Sequence, residues 1–189
     1  MSWLRVFLEH ETSPVLDTSE GELIAQTLQT IGVGFERWPT VDLPADATQA
    51  DVLEAYATPI QRLKRLEGYQ SVDVVRMTPK HPDRRVLRQK FLSEHTHAED
   101  EVRFFVEGAG LFSMHALGRV FVLLCQRGDL IRVAAHLPHW FDMGESPMFT
   151  AVRLFTNPDG WIAQFTGDAI ADRFPRFPAE IVSSLVLTP

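Results

Sequence analysis

The sequence predicts a mainly β protein, an antiparallel sandwich or small barrel with short α-helices in its N-terminal third, and three observations predict it. From about Ser71 onward, short β-branched and aromatic runs recur at 72–77, 102–106, 119–124, 130–134, 149–155 and 161–165, each of a length and composition that suits a strand. Between them stand turn formers: Gly108-Ala109-Gly110, Arg127-Gly128-Asp129, Gly144-Glu145-Ser146-Pro147 and Asn157-Pro158-Asp159-Gly160. Strands and turns at such spacing suit a doubled or closed antiparallel sheet. Before Ser71 the apolar residues fall mostly at helical intervals instead.

Taken in order, residues 3–8 read as a strand. Residues 18–31 are predicted as a helix with Ile24, Leu28 and Ile31 on one face and Gly32 just beyond its end. From Thr48 to Leu66 the spacing is again helical, but Pro59 divides it. Thr58 as N-cap and Pro59 at the first helical position predict two short helices there. The end of the chain is punctuated by proline in Phe174-Pro175-Arg176-Phe177-Pro178 and then turns apolar; it is expected to pack along the outside. With no internal repeat, residues 1–189 are read as one domain. Its parts are a helical segment 1–70 packed on the barrel, a barrel core 71–168 and a tail 169–189.

The composition narrows the function. The 189 residues are 45% hydrophobic and 23% charged, ordinary for a chain that buries a real core. Eighteen Lys and Arg against 25 Asp and Glu give a formal charge of −7, so there is no basic footprint for nucleic acid or an anionic membrane. A small-molecule partner is expected by elimination. The single cysteine, Cys125, excludes an intrachain disulfide and a cysteine-based zinc site, and points to a reducing compartment. The N-terminal stretch lacks the pattern of a signal peptide, and no apolar run approaches membrane-spanning length. The cytoplasm is the expected location and a monomer the expected state.

The chemistry concentrates in Glu94-His95-Thr96-His97-Ala98-Glu99-Asp100-Glu101-Val102-Arg103-Phe104-Phe105. Alternate residues of a strand share a face, so His95 and His97 point together, and Glu101 and Arg103 have the same parity if no bulge intervenes. A single histidine on a strand is ordinarily a surface or hydrogen-bonded core residue. Two at strand spacing beside a carboxylate are better explained by a cation, which satisfies all of them at once. Imidazole plus carboxylate suits iron, nickel, manganese or cobalt ahead of copper and zinc. A fourth ligand is expected from another strand. His139 is chosen because it precedes the aromatic pair Trp140-Phe141, whereas His136 lies in an apparent turn closed by Pro138. His10, His81 and His115 have no ligand-like neighbours in sequence and are left out.

The run His95-x-His97-x3-Glu101-x6-Gly108 resembles the first motif of the cupin superfamily, and Gly128 followed eleven residues later by His139 resembles the second. Ala134 and His136 stand where cupins usually have proline and glycine. More narrowly, Phe91-Leu92-x-Glu94-His95-x-His97-x3-Glu101-Val102-Arg103-Phe104-Phe105-Val106 occurs with Gly128-Asp129-Leu130-Ile131, His139-Trp140-Phe141-Asp142 and Arg153-Leu154-Phe155. This set resembles the acireductone dioxygenase family over most of residues 71–168.

The resemblance implies a cupin-type antiparallel β-barrel, or jelly roll. It also implies one Fe(2+) or Ni(2+) per chain, with Co(2+) or Mn(2+) as substitutes, on His95, His97, Glu101 and His139. The implied reaction is cleavage of the acireductone 1,2-dihydroxy-3-keto-5-methylthiopentene by O2 in methionine salvage. Arg103 is the expected catalytic cation for an enediolate, its alternative being a salt bridge to a neighbour such as Glu107. Arg153 is a candidate to reach the same pocket. Phe91, Phe141 and Trp161 are candidates to enclose the methylthio end of the substrate, with core packing as the alternative for each. The basic run Arg84, Arg85, Arg88 and Lys90 reads as a solvated helical face. Two rival functions remain at this level: another metal cupin enzyme, such as a different dioxygenase or an isomerase, and a non-catalytic ligand-binding cupin.

Overall fold

The structure, a computed structural model, describes residues 1–157 and 162–178. Its elements in chain order are β1 (Trp3–Leu8), β2 (Pro14–Thr18), α1 (Gly21–Gln29), β3 (Gly34–Arg37), α2 (Gln49–Ala55) and α3 (Ala57–Glu67). There follow β4 (Ser71–Met77), α4 (Arg84–Leu92), β5 (His95–Thr96), β6 (Glu101–Ala116), β7 (Arg119–Gln126), β8 (Asp129–Val133), β9 (His139–Asp142), β10 (Phe149–Phe155) and β11 (Gln164–Phe165). The class is the one expected: a mainly β, jelly-roll-type antiparallel barrel whose early segments supply three of the four α-helices found among the described residues. One sheet runs β11-β5-β9-β6-β7-β1-β2 and the other β3-β8-β6-β10-β4, every pair antiparallel. Among the described residues the ladders do not close into a full ring.

Strand β6 belongs to both sheets, and Gly108 makes this possible. The sequence predicts a turn at Gly108-Ala109-Gly110, but the strand runs through it for 16 residues. Gly108 has φ +73°, open to glycine at little cost, and the β6–β10 register slips beside it between Thr150 and Ala151. The bulge bends β6, so residues 101–104 pair with β8 while 109–116 pair with β7. A Cβ at Gly108 would overlap the Met148 carbonyl, and one at Gly110 would overlap the Phe141 ring. Both glycines serve close approach rather than a chain reversal.

Three layers of packing follow from the alternation. Phe105, Phe112, Phe141 and Phe149 meet between the sheets, the adjacent rings 4.7 to 6.5 Å apart. Outside the second sheet, Val52 of α2, Ile60 and Leu63 of α3 and Tyr56 between the two helices cover Val102, Phe104, Val152 and Leu154. Outside the first, Ile170 and Phe174 cover Phe7, Val122 and Trp140.

Several boundaries differ from the sequence reading: of the run 161–165 only Gln164–Phe165 is strand among the described residues, and two further differences lie in the first third. Thr18 ends β2 rather than opening a helix, and α1 begins at Gly21. Residues 14–18 form an edge strand without a buried residue, so no apolar alternation marked it. The predicted pair of helices exists, but Thr58 and Pro59 are the second and third residues of α3 rather than its cap and first position. Pro59 lies in a first turn whose N–H groups have no intrahelical acceptor. Its ring would meet the Ala55 carbonyl if α2 continued, and α2 ends at Ala55.

Candidate metal centre

Four chain segments supply the four predicted ligands. His95 lies on β5, His97 in the loop beyond it, and Glu101 and His139 are the first residues of β6 and β9. The chain from His95 to Arg103 is therefore not one strand; residues 97–100 form a loop, and parity holds only within short stretches. Pairing across strands does the rest. His95 lies opposite His139, and His139 opposite Met114, so these three residues form one row across the first sheet. All four ligands are buried, and one donor atom from each lies within 4.8 Å of the others.

Two of the imidazoles are fixed by backbone carbonyls. His95 Nδ1 is 2.7 Å from the Ser93 carbonyl and His139 Nδ1 is 2.7 Å from the Leu137 carbonyl. A carbonyl only accepts, so each Nδ1 carries the hydrogen and each Nε2 presents a lone pair to the centre. Glu101 Oε2 lies 3.1 Å from His97 Nε2 and 3.3 Å from His139 Nε2. A carboxylate oxygen facing an imidazole lone pair in a buried site is two acceptors in contact, which a cation between them reconciles. Neutral nitrogen donors beside an ionised carboxylate also suit a divalent ion. Burial, with the neighbouring His139, pushes His95 down to about 4. Burial opposes ionisation of Glu101, but the Arg103 charge beside it outweighs burial, holding its carboxyl well below 4.5. The donor set fits a metal.

His136 takes no part in this group. It sits in a turn at φ +63°, and its backbone N–H donates to the His97 carbonyl at 2.8 Å. Asp100 ties the same two loops together, accepting from the Ala135 N–H at 3.0 Å and from the Tyr69 hydroxyl at 3.3 Å.

Arg103 donates to Glu101 Oε1 at 2.8 Å and lies over the rings of Phe141, at 4.4 Å, and Phe112, at 5.2 Å. Its partner is thus the ligand carboxylate and not Glu107. Glu107 is four residues along the strand, roughly 13 Å away at 3.3 Å per residue, and accepts from Thr150. Arg153 is the cross-strand partner of Arg103 and so shares its face, where it forms a bidentate pair with Asp73 at 2.8 and 2.5 Å. Phe91, on α4, has its ring 6.1 Å from that of His95. Trp161 lies outside the described residues.

Other residues differ from their sequence reading. Arg88 is not simply solvated: it grips the buried Asp142 at 2.8 and 3.2 Å, fastening α4 to the end of β9. His115, read as having no relevant neighbour, lies 2.8 Å from Glu94. Phe165 pairs with His95 across β11 and β5. Nothing in the sequence pointed to the last two, because 21 and 70 residues of chain separate the partners.

A model of the ARD/ARD' family matches residues 5–163. The acireductone dioxygenase of Parasynechococcus marenigrum is 54% identical over 184 residues, covering 93% of this chain and 99% of its own. That of Marinobacter nauticus is 51% identical over 178 residues, covering 94% and 96%. Among solved structures, an acireductone dioxygenase from Bacillus anthracis with a cadmium ion in its active centre superposes with a TM-score of 0.78. It is 28% identical and the match covers 87% of this chain and 98% of that one.

Proposed function

The chain belongs to the acireductone dioxygenase family, and from that premise we propose that it cleaves 1,2-dihydroxy-3-keto-5-methylthiopentene with O2 in methionine salvage. His95, His97, Glu101 and His139 would hold one Fe(2+) or Ni(2+) per chain, or Co(2+) or Mn(2+) in its place. The observation that carries the reading is the convergence of the four ligand atoms within 4.8 Å beside the Arg103 guanidinium. Formate and 4-methylthio-2-oxobutanoate are the products expected of iron-loaded protein; formate, carbon monoxide and 3-methylthiopropanoate are those of nickel-loaded protein.

A divalent ion held by His95, His97, Glu101 and His139 would supply Lewis-acid charge toward an enediolate. The chain supplies the rest. The carbonyls of Ser93 and Leu137 hold two ligand rings in a single orientation. Arg103 keeps a permanent positive charge at the edge of the centre, which favours the deprotonated enediol. Its guanidinium is held flat by Phe141 and charged against Glu101, so no reorganisation is needed when the anion arrives. Arg153 adds a second cation on the same face. Phe91 and Phe141 offer apolar walls to the methylthio end. Burial of the ligands excludes bulk water from the reacting atoms.

The remaining part of the proposal is a monomeric, cytoplasmic enzyme with a small-molecule substrate and no nucleic-acid or membrane partner. The −7 charge speaks against a nucleic-acid or anionic-membrane partner, and among the described residues no helix is long and apolar enough to cross a membrane. The test is anaerobic mixing of the reduced acireductone with iron-loaded protein, followed by oxygen. Stoichiometric oxygen uptake with formate release is expected; no substrate-dependent uptake would sink the proposal.

A further inference from the structure

β11 is two residues long, at the edge of its sheet, with both side chains exposed. A strand so short has little stability of its own. It nevertheless sets Phe165 opposite His95, so Phe165 extends the row Phe165, His95, His139 at the metal centre. Directly opposed residues of an antiparallel pair lie on the same face. The Phe165 and His95 rings are 5.9 Å apart, yet Phe165 remains 54% exposed.

What fastens β11 is Glu94. Alternation turns its side chain away from the face that His95 occupies, and it is buried to 3% exposure. One carboxylate oxygen accepts from the Thr166 hydroxyl at 2.7 Å, and the other is 2.8 Å from His115 Nδ1. The Glu94 backbone carbonyl also accepts the Thr166 N–H at 3.2 Å. His115 is in turn fixed at the end of β6, its backbone N–H donating to the Pro138 carbonyl at 2.9 Å and its Nε2 lying 3.5 Å from Glu9. A buried carboxylate left without partners is costly, so Glu94 ties Thr166 to the body of the barrel. The residue it ties down follows Phe165 directly.

We infer that Phe165 is a wall of the substrate site that contacts the apolar chain of the substrate, and that Glu94 is the positioning residue that holds it there through Thr166. An aromatic ring beside a polar, anion-binding centre suits a ligand with an anionic head and an apolar thioether tail. The tail covers the exposed ring and gains a sulfur–aromatic contact. The inference rests on the acireductone reading of the centre.

The experiment uses the full metal-loaded chain as wild type, Phe165→Ala, Thr166→Val and Thr166→Ser. Oxygen uptake is measured with two acireductones, one carrying the methylthioethyl chain and one a methyl group in its place. Phe165→Ala should raise KM for the long-chain substrate about tenfold and for the short one less than about twofold, with kcat and metal content near wild type. Thr166→Val should raise the long-chain KM about threefold and hasten hydrogen exchange of the backbone amides at 164–168, while Thr166→Ser stays near wild type in both. Unchanged KM values in Phe165→Ala, equal changes for both substrates, or loss of metal would overturn the wall. Identical exchange in Thr166→Val and wild type, or identical behaviour of the Val and Ser variants, would overturn the role of Glu94. If wild type turns over neither substrate, the acireductone reading and the wall fail together, and the exchange comparison still decides the fastening.

Discussion

His95 and His139 stand directly opposite one another in the β5–β9 pair, ring centroids 4.6 Å apart, each with its Nδ1 bonded to the carbonyl two residues earlier. Two local backbone contacts thus turn two lone pairs toward one point.

Removal of one ligand should therefore abolish stoichiometric metal while its neighbour in sequence is dispensable. His97→Ala and His139→Ala are each expected to weaken metal binding by more than about a hundredfold, beyond the loss typical of an outer-shell partner. His136→Ala should retain a full complement, since its exposed side chain is outside the ligand group and its backbone N–H makes the bond to the loop of His97. Metal analysis of the dialysed variants checks this; full metal in His139→Ala would refute the ligand set.

Arg103→Met should be much more harmful without metal than with it. In the metal-free chain the change leaves the buried Glu101 without its guanidinium partner, a loss of about 3 kcal/mol in unfolding free energy. A bound divalent ion compensates the same carboxylate, so the loss in the loaded protein should be roughly half or less. Denaturant titrations of both forms measure the difference, and equal losses would count against a metal on Glu101.

The metal-free protein should lose stability as pH falls from 6.5 to 4. His95 is held neutral in the fold down to about 4, against its ordinary 6.5, so below 6.5 the unfolded chain takes up a proton that the folded one refuses. The stabilisation is fully present above 6.5 and lost by about pH 4, on the order of 3 kcal/mol. Glu101 acts in the same direction but below 4.5, which separates the two windows. His95→Gln should flatten the upper window; an unchanged pH profile would contradict the assignment.

Gly108→Ala and Gly110→Ala should fail differently. At Gly108 the new Cβ meets backbone, and the positive φ adds strain, so a loss of about 3 kcal/mol or more is expected. At Gly110 it meets the Phe141 ring, which can shift, at a cost of about 1 to 3 kcal/mol. Because that ring supports Arg103, Gly110→Ala should also raise KM for the acireductone. Thermal unfolding and oxygen uptake together distinguish the two.

Much of this was visible in the chain itself. Six β-branched and aromatic runs marked the region after Ser71 as strands, since alternation of apolar residues is a local property. The pair His95 and His97, with Glu101 and Arg103, was recognisable because ligands close in sequence carry their own spacing. Other features were hidden for physical reasons. Strand β2 buries no residue and so has no apolar signature. Gly108 reads as a turn because glycine permits a positive φ equally in a turn and in a bulge, and only the partner strand β10 decides which.

By itself, then, the sequence determined the mainly β class, the reactive cluster and the residue types able to bind a metal, all of which follow from short-range pattern and donor chemistry. Tertiary structure brought the His139 chosen from the sequence, and not His136, into one group with His95, His97 and Glu101, and set the Arg103 guanidinium against Glu101 rather than Glu107. It alone brought His115 and Thr166 onto Glu94, with Phe165 beside His95. These last depend on strand register and on one bulge in β6, and register is set by how whole faces of the two sheets bury against each other rather than by any stretch of adjacent residues.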